Sequence, residues 1–233
     1  QTEGLFYARG RGQVVGDAEA QDTMRITRRG SERVFRFALQ LAERRKRRGR
    51  PGRATCVDKA NVFTSMAFFR RIFDEQAPGF PAVAADHCYI DAMALNLVRR
   101  PWDYDVIVTE NMFGDILSDL GAGLIGGMGM APSGDVGDRH ALFQPAHGSA
   151  PDIAGTGKAN PTAMLLSAVM MLEWLADRHG LPACSDAADR LRSAVERPFR
   201  QGRVRPFEFG GASGTAEITR AVVEALRAGA HAR

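Results

Sequence analysis

The sequence predicts an α/β fold with two α/β domains, largely parallel or mixed sheets and a protruding β arm, and three observations support it. Between residues 27 and 120, helical periodicity of apolar residues alternates with short apolar runs, which is typical of a mostly parallel sheet covered on both faces. The glycine-dense stretch 121–129 interrupts that pattern, and long amphipathic helices follow it. The first 26 residues are polar and Gly-rich with short extended pieces, which is typical of an arm that pairs with another chain.

Taken in order, the arm should contain extended pieces at 4–8, 13–15 and 24–27. The first helix is expected from apolar residues at 34, 37, 38, 41 and 42, with Thr27 or Ser31 as its cap. Further strands are predicted at 54–58, 82–86, 105–108 and 141–144, and further helices at 63–75, 89–98, after Gly114, and at 161–178, 186–200 and 216–226. The buried side of the 161–178 helix should consist of Met164, Leu165, Ala168, Met171, Leu172 and Leu175.

The bulk composition restricts the class of protein. A length of 233 residues is enough for one large domain or two modest ones, and no run of about 18 apolar residues predicts a membrane-spanning helix. The three scattered cysteines, Cys56, Cys88 and Cys184, fit a reducing, cytoplasmic setting and argue against a disulfide framework or a zinc cluster. Because the chain starts with Gln and shows no signal-peptide pattern, we expect that an N-terminal part is absent.

The net charge of +4 comes from one block. Residues 44–53 contain seven of the 31 basic residues, and the remaining 24 are outnumbered by 27 acidic ones. A charge block at a helix C-terminus is usually a solvated segment that interacts well with the helix dipole. Nucleic-acid binding is therefore the less favoured interpretation of this block.

A Gly-x-Gly-x-x-Gly pattern is formed by Gly121, Gly123 and Gly126. A dinucleotide-binding motif of this kind should follow a strand and open a helix, whereas this one follows a helix. We therefore interpret it as a crossing between two domains, 1–125 and 126–233.

Several polar residues are candidates for chemistry. Asp115 and Asp119 lie four residues apart on one helix face, where they could bind Mg²⁺ or Mn²⁺ or could be ordinary surface carboxylates, and the spacing leaves both interpretations open. Lys59 follows a strand, as a general base or as a surface lysine. In the loop at 147–155, small residues would let a ligand approach the backbone, and Asp152 could accept hydrogen bonds from a ribose and repel a 2′-phosphate; a structured surface loop is the alternative.

Four stretches of the chain resemble the β-decarboxylating dehydrogenases, the family of isopropylmalate, isocitrate, homoisocitrate and tartrate dehydrogenases. They are residues 2–4 (Thr-Glu-Gly), 57–61 (Val-Asp-Lys-Ala-Asn), 111–119, and 147–155 with Asn160 and Pro161. They follow the order and spacing of the family, and the similarity extends to about residue 226. The resemblance implies an isopropylmalate dehydrogenase-like fold. It makes 1–125, with the arm at 1–28, a substrate, metal and dimerisation domain, and 126–233 the C-terminal part of a cofactor domain.

The resemblance also implies roles for individual residues. Lys59 matches the general base and Asn61 a residue near the substrate, while Asp91, Asp115 and Asp119 match the metal ligands; Lys59 and Asp91 are expected to come from the partner subunit of a homodimer. The residues that match the cofactor loop, and favour NAD, are His147, Gly148, Ser149, Ala150, Asp152 and Asn160. The implied reaction is NAD-dependent, Mg²⁺- or Mn²⁺-dependent oxidative decarboxylation of a 3-substituted malate.

The sequence also departs from the family pattern. The family tyrosine that follows Thr-Glu-Gly is replaced by Phe6, so that Tyr7 becomes the candidate for its role, and Gln144 stands where the family often has Glu. Residues 57–61 most resemble the 3-isopropylmalate branch, which acts in leucine biosynthesis. A tartrate/malate or homoisocitrate activity, or a catalytically dead truncated member, is the alternative, because the substrate arginines and the specificity segment of the family would lie upstream of this chain.

Overall fold

A computed structural model describes residues 3–230 of the chain. The chain forms two compact units, one up to Gly121 and the other from Ala122 onward. This boundary lies within a helix and slightly before the predicted one. The roles assigned to the two predicted domains stay predictions. Among the described residues, no helix is both long enough and apolar enough to cross a membrane, and the cytoplasmic setting likewise stays a prediction.

The front of the chain forms a short hairpin. Strands β1 (Gln13–Val15) and β2 (Glu19–Gln21) pair antiparallel, and all six residues are exposed. The extended piece expected at 4–8 is wrong, because Leu5–Ala8 forms a 3-10 helix. Gly4 has a φ of 71° there, and its N–H and C=O pair with Arg25 instead of continuing a strand.

The first unit is built on a parallel sheet. Its elements are α1 (Arg28–Arg47), β3 (Arg53–Asp58), α2 (Thr64–Gln76), β4 (Ala84–Tyr89), α3 (Ile90–Arg99), β5 (Val106–Val108) and α4 (Asn111–Leu124). The strand order is β4-β3-β5, and both pairings are parallel, which confirms the predicted fold class. Strand β4 lies later than predicted, because its six residues pair with β3 from Arg53 opposite Ala84 to Asp58 opposite Tyr89.

Helix α1 packs on α2 through aromatic residues. Phe35 is fully buried, and its ring centroid lies 4.4 Å from that of Phe69 and 5.2 Å from that of Phe73. Thr27 is the cap, because its hydroxyl accepts from Gly30 N at 3.2 Å. Ser31 instead lies inside the helix and donates to the Thr27 carbonyl at 2.8 Å.

The second unit combines a hairpin with three helices. Strands β6 (Pro132–Val136) and β7 (Ala141–Pro145) pair antiparallel and contact α5 (Thr162–His179), which is followed by α6 (Pro182–Arg200) and α7 (Thr215–Ala230). The predicted buried side of α5 is wrong in part, because Met164 and Met171 are exposed while Ser167 is fully buried. Ser167 Oγ donates to the Gln144 carbonyl at 2.7 Å and accepts from Ser133 N at 3.3 Å, so a hydroxyl fastens the hairpin to the helix.

Candidate active site

The carboxyl ends of β4, β3 and β5 meet at one edge of the sheet, because all three strands are parallel. Lys59 follows β3 directly, and Asp91 lies in the first turn of α3, which follows β4. Helix α4, with Asp115 and Asp119, follows β5. Ligands of open parallel sheets bind at this edge, so the topology places the predicted catalytic and metal residues of the first unit where α/β proteins carry their sites.

Lys59 and Asp91 form an ion pair within the chain. Lys59 Nζ lies 2.5 Å from Asp91 Oδ1, and the two side chains are 23% and 67% exposed. The hydrogen bond from Lys59, supported by backbone N–H groups at the start of α3, holds the pKa of Asp91 below its ordinary value. The structure therefore brings two of the predicted site residues together.

A second ion pair lies directly behind Lys59, and sequence reasoning missed it. The Asp58 carboxylate is fully buried and accepts from Arg70 Nε at 2.8 Å and from Arg70 Nη2 at 2.7 Å. These hydrogen bonds raise the pKa of Arg70 above its ordinary value. A charged residue at the end of a buried strand was the signal available in the sequence, because such a charge requires a partner.

Asp115 and Asp119 are both exposed on α4 and stand one turn apart. In the described part of the chain, no hydrogen bond or ion pair engages either carboxylate. Two unpaired carboxylates on one face fit a hard divalent cation, which prefers oxygen ligands. Asp91 does not join them, since residues 3–230 contain no group of three His, Cys, Asp or Glu side chains placed to hold a metal ion.

Helix α4 is held at its start by Glu110, another residue that sequence reasoning missed. Glu110 is buried and accepts from Phe113 N at 2.7 Å, from Met112 N at 3.1 Å and from Leu5 N at 3.3 Å. A side chain at Gly4 would overlap the Glu110 carboxylate, with 1.8 Å between its Cβ and Oε2. Glu110 thus connects the segment that carries Tyr7 to α4, the helix that carries Asp115 and Asp119.

The two remaining predicted residues of the first unit are Tyr7 and Asn61. Tyr7 lies in the 3-10 helix, where the guanidinium carbons of Arg25 and Arg11 stand 4.0 and 4.4 Å from its ring centroid. Asn61 is exposed in the turn between β3 and α2. Thr2 of the Thr-Glu-Gly motif lies outside the described residues.

The predicted cofactor loop lies in the second unit. His147, Gly148, Ser149, Ala150 and Asp152 are all exposed, and His147 Nδ1 lies 2.8 Å from the Gly148 carbonyl oxygen. Ala150 has a φ of 44°, the only left-handed conformation at a non-glycine residue in the described part of the chain. Strained backbone of this kind concentrates at functional loops, and here it precedes the 3-10 helix that contains Asp152.

Asn160 is engaged at both ends of its side-chain amide. Its Oδ1 accepts from Thr162 N at 3.0 Å, and its Nδ2 donates to Glu208 Oε1 at 2.6 Å. Asn160 therefore fixes the first residue of α5, Thr162, and connects the start of this helix to residues 206–211. Glu208 was also missed by sequence reasoning, since the two residues are far apart in the chain.

The basic block at 44–53 is partly used inside the fold. Arg45 Nε lies 2.6 Å from Asp105 Oδ1, whose side chain is buried, and Lys46 Nζ donates to the Ala82 carbonyl at 2.6 Å. These contacts fasten the end of α1 to residues just before β5 and β4. They support the interpretation of the block as a helix end rather than as a nucleic-acid-binding surface.

A cavity of about 260 Å³ lies between α6 and α7, lined in part by Asp186, Asp189, Arg190 and Arg197. It contains none of the predicted site residues. The topology of the sheet edge and the unpaired carboxylates, and not this cavity, mark the candidate site.

Comparison with known proteins gives the same assignment. The model of the isocitrate/isopropylmalate dehydrogenase family matches residues 1–223. The chain is 43% identical over 227 residues to the 3-isopropylmalate/3-methylmalate dehydrogenase of Methanocaldococcus jannaschii, covering 97% of this chain and 65% of the relative. It is 45% identical over 228 residues to the isocitrate/homoisocitrate dehydrogenase of Thermus thermophilus, covering 97% of this chain and 64% of that protein.

A solved structure agrees. The isocitrate dehydrogenase from Methylococcus capsulatus superposes with a TM-score of 0.83 at 39% identity, covering 97% of this chain and 65% of that chain. The chain thus spans slightly less than two thirds of the length of these relatives. The predicted isopropylmalate dehydrogenase-like fold is confirmed, and the chain belongs to the isocitrate/isopropylmalate dehydrogenase family.

Proposed function

We propose that this chain is part of an enzyme that oxidises and decarboxylates a 3-substituted malate with NAD and with Mg²⁺ or Mn²⁺. The favoured substrate is 3-isopropylmalate, as in leucine biosynthesis. The observation that carries the proposal is the set of charges that follow the carboxyl ends of the three parallel strands: the Lys59–Asp91 pair after β3 and β4, and the unpaired carboxylates of Asp115 and Asp119 on the helix after β5. A basic group and oxygen ligands are what a metal-assisted oxidation of a hydroxy acid needs.

The reaction assigns a task to each residue. Lys59, in its neutral amine form, would take the hydroxyl proton of the substrate, and NAD, when bound, would supply the acceptor for the hydride of the carbon that bears this hydroxyl. The carboxylate β to the new carbonyl would leave as CO₂, and Tyr7 would return a proton to the carbon that carried it. Asn61, two residues after Lys59, lies in the turn that would face the substrate.

Asp115 and Asp119 would hold the divalent cation, which when bound polarises the substrate oxygen as a Lewis acid. The third predicted ligand, Asp91, is paired with Lys59 in its own chain. We therefore infer a homodimer in which each site combines Asp115 and Asp119 of one subunit with Lys59 and Asp91 of the other. Exposed apolar side chains on α3 and α4, among them Val98 at 59%, support an interface on these helices.

NAD is favoured over NADP by the charge of the cofactor loop. Asp152 is exposed in the first turn of the 3-10 helix after Ala150, and its carboxylate can accept hydrogen bonds from a ribose diol. The same negative charge would repel a 2′-phosphate. We therefore expect Asp152→Ala to lower the ratio of kcat/KM with NAD to kcat/KM with NADP.

The test is a steady-state assay of the complete protein with Mn²⁺, NAD or NADP, and a substrate panel. The panel contains 3-isopropylmalate, malate, tartrate, isocitrate and homoisocitrate; homoisocitrate is the second candidate, because of the similarity to the Thermus relative. Lys59→Met should lower kcat by about a thousandfold, since general base catalysis contributes roughly 10²–10⁴. Lys46→Met, at an exposed lysine outside every predicted site, is the matched control and should leave kcat unchanged.

Two results would contradict the proposal. If the kcat of Lys59→Met lies within about twofold of the kcat of the unsubstituted protein, Lys59 is not the base. Absence of turnover with the whole panel, in a protein that still binds Mn²⁺ and NAD, instead identifies a catalytically dead member of the family.

A further inference from the structure

The Asp58–Arg70 pair stands out among the charged groups that the proposed reaction does not use. Asp58 is the last residue of β3 and is fully buried, while the Arg70 side chain is 26% exposed. Both carboxylate oxygens are bound by the guanidinium, in the bidentate geometry that fixes two planar groups against each other. Burying an ion pair brings little net stability, so this pair invites a second explanation.

Two contacts lead from this pair to Lys59. Asp58 Oδ1 also accepts from Ala60 N at 2.8 Å, which fixes the turn in which Lys59 lies between these two residues. The Arg70 guanidinium carbon stands 5.0 Å from the ring centroid of Tyr89, and Lys59 Nζ stands 5.7 Å from the same centroid. The buried pair therefore holds Lys59 through its backbone on one side and through a shared aromatic ring on the other.

We propose that Asp58, Arg70 and Tyr89 are positioning residues that hold Lys59 Nζ at Asp91, and this rests on the proposed function of Lys59 as the base. None of the three touches the reacting atoms in this assignment. Arg70 is the rigid part, because its planar fork cannot turn without losing a hydrogen bond to Asp58. Tyr89, at the end of β4, contacts the Arg70 guanidinium, and this contact holds the tyrosine ring in place beside Lys59.

The same strand offers a matched control at its other end. Arg53 Nε donates to Asp86 Oδ2 at 2.9 Å, and the Arg53 guanidinium carbon lies 5.4 Å from the Tyr104 ring centroid. This cluster repeats the Arg–Asp–Tyr combination, with Arg53 on β3, Asp86 on β4 and Tyr104 shortly before β5, and none of the contacts named for it involves Lys59. If the Asp58–Arg70 pair served stability alone, disrupting it or disrupting the Arg53–Asp86 pair would change the stability of the fold and nothing else.

The first measurement concerns geometry and needs no activity. A carbodiimide forms an amide directly between an amine and a carboxylate in contact, so the yield of the Lys59–Asp91 cross-link, measured by mass spectrometry, reports their contact. The chain contains only three lysines, Lys46, Lys59 and Lys158, so the product is readily assigned. Arg70→Met should lower this yield at least threefold, and Arg53→Met should not change it.

Two further variants guard against a failure to fold. Tyr89→Leu leaves the ion pair intact and should lower the cross-link yield in the same direction. Arg70→Lys keeps the charge but loses the fork, so it should fall between Arg70→Met and the unchanged protein. All proteins are compared well below their unfolding transitions, so that loss of stability does not enter the yield.

The second measurement is kinetic, on the complete protein. Arg70→Met should lower kcat roughly tenfold to a hundredfold with KM changed by less than about twofold, because a shift of about 1 Å in a positioned group is enough for such a loss. Equal cross-link yields and equal kcat values in Arg70→Met and Arg53→Met would overturn the proposal. If the unchanged protein shows no turnover but Arg70→Met still lowers the cross-link yield, the proposed function fails while the positioning of Lys59 stands.

Discussion

Replacing Glu110 with alanine should loosen the start of α4 and the segment that carries Tyr7. Glu110 is 4% exposed and accepts three backbone hydrogen bonds, from Phe113 and Met112 in the first turn of α4 and from Leu5 at the front of the chain. The alanine variant keeps the backbone but removes the acceptor. All three N–H groups then lose their partner at once.

The expected loss follows from these contacts. Removing a helix cap costs about 1 kcal/mol, within a range of about 0.5–2. A buried donor left without an acceptor costs a further ~1–3 kcal/mol, and Phe113 N is such a donor, whereas the longer bond from Leu5 N counts for less. We therefore expect Glu110→Ala to lower the free energy of unfolding by about 2–4 kcal/mol, and Glu110→Gln, which keeps one acceptor oxygen, by about half of that.

Urea unfolding measures the total, as a lower midpoint with an unchanged slope. Hydrogen exchange followed by mass spectrometry locates the effect, which should appear in the first turn of α4 and not in α5. Thr27→Ala is the control, because that cap accepts a single N–H of α1, from Gly30, and should cost about 1 kcal/mol without altering α4. A change below about 0.5 kcal/mol for Glu110→Ala, or faster exchange spread equally over α4 and α5, would refute the reasoning.

Three further outcomes are expected. Saturating Mn²⁺ should raise the unfolding temperature of the complete protein, and an Asp115→Asn/Asp119→Asn variant should lose that rise; an unchanged rise would place the cation elsewhere. Burial, together with the nearby charge of Asp58, raises the pKa of Cys56 well above its ordinary value. The Cys56 thiol should therefore resist alkylation at pH 8 until urea unfolds the chain, and rapid labelling of this cysteine in the folded protein would contradict the prediction. Since the hydrogen bond from Lys59 lowers the pKa of Asp91, the ion pair stabilises the fold above about pH 4 and loses this effect as the pH falls through the folded-state pKa. Asp91→Asn should therefore destabilise the fold at pH 6, and this deficit should shrink as the pH falls below about 4; a deficit that does not shrink would exclude the pair as its cause.

The sequence predicted the parallel sheet because each strand of the first unit is a short apolar run set between helical patterns. It did not fix the buried face of α1, because two sets of residues share helical spacing. Val34 and Phe37, two of the residues whose spacing predicted this helix, are 37% and 40% exposed, while Phe35 and Leu39 are fully buried. Packing against α2 through the Phe35 ring decides between the two faces, and that partner is not visible in the periodicity of α1.

Strand β6 was missed for a related reason. Its sequence, Pro-Ser-Gly-Asp-Val, has no alternating apolar pattern, and it becomes a strand by pairing with β7 and by the hydrogen bond from Ser133 N to Ser167. The same holds for two charged residues that the sequence did not single out. Arg70 and Glu208 bind partners that lie 12 and 48 residues away in the chain, Asp58 and Asn160, so no local motif indicates their roles.

The shared-site arrangement leads to the sharpest test of the proposed homodimer. Asp91 cannot both neutralise Lys59 and join Asp115 and Asp119 of its own chain, because the described residues form no such group of three. If each site takes Asp91 from the partner, Asp91→Asn and Asp119→Asn inactivate the enzyme separately but complement each other when mixed. A hybrid dimer then contains one intact site and one doubly altered site.

Random reassortment of equal amounts of the two variants makes half of the dimers hybrids, each with one working site of two. The mixture should therefore recover about a quarter of the unchanged activity after the subunits are dissociated and reassembled together. Mixing Asp115→Asn with Asp119→Asn should recover nothing, since both residues belong to the same helix and the same half of the site. No recovery in the first mixture would mean that each site is built within one chain and that Asp91 must leave Lys59 to complete it. Recovery in the control would instead mean that Asp115 and Asp119 do not serve the same site.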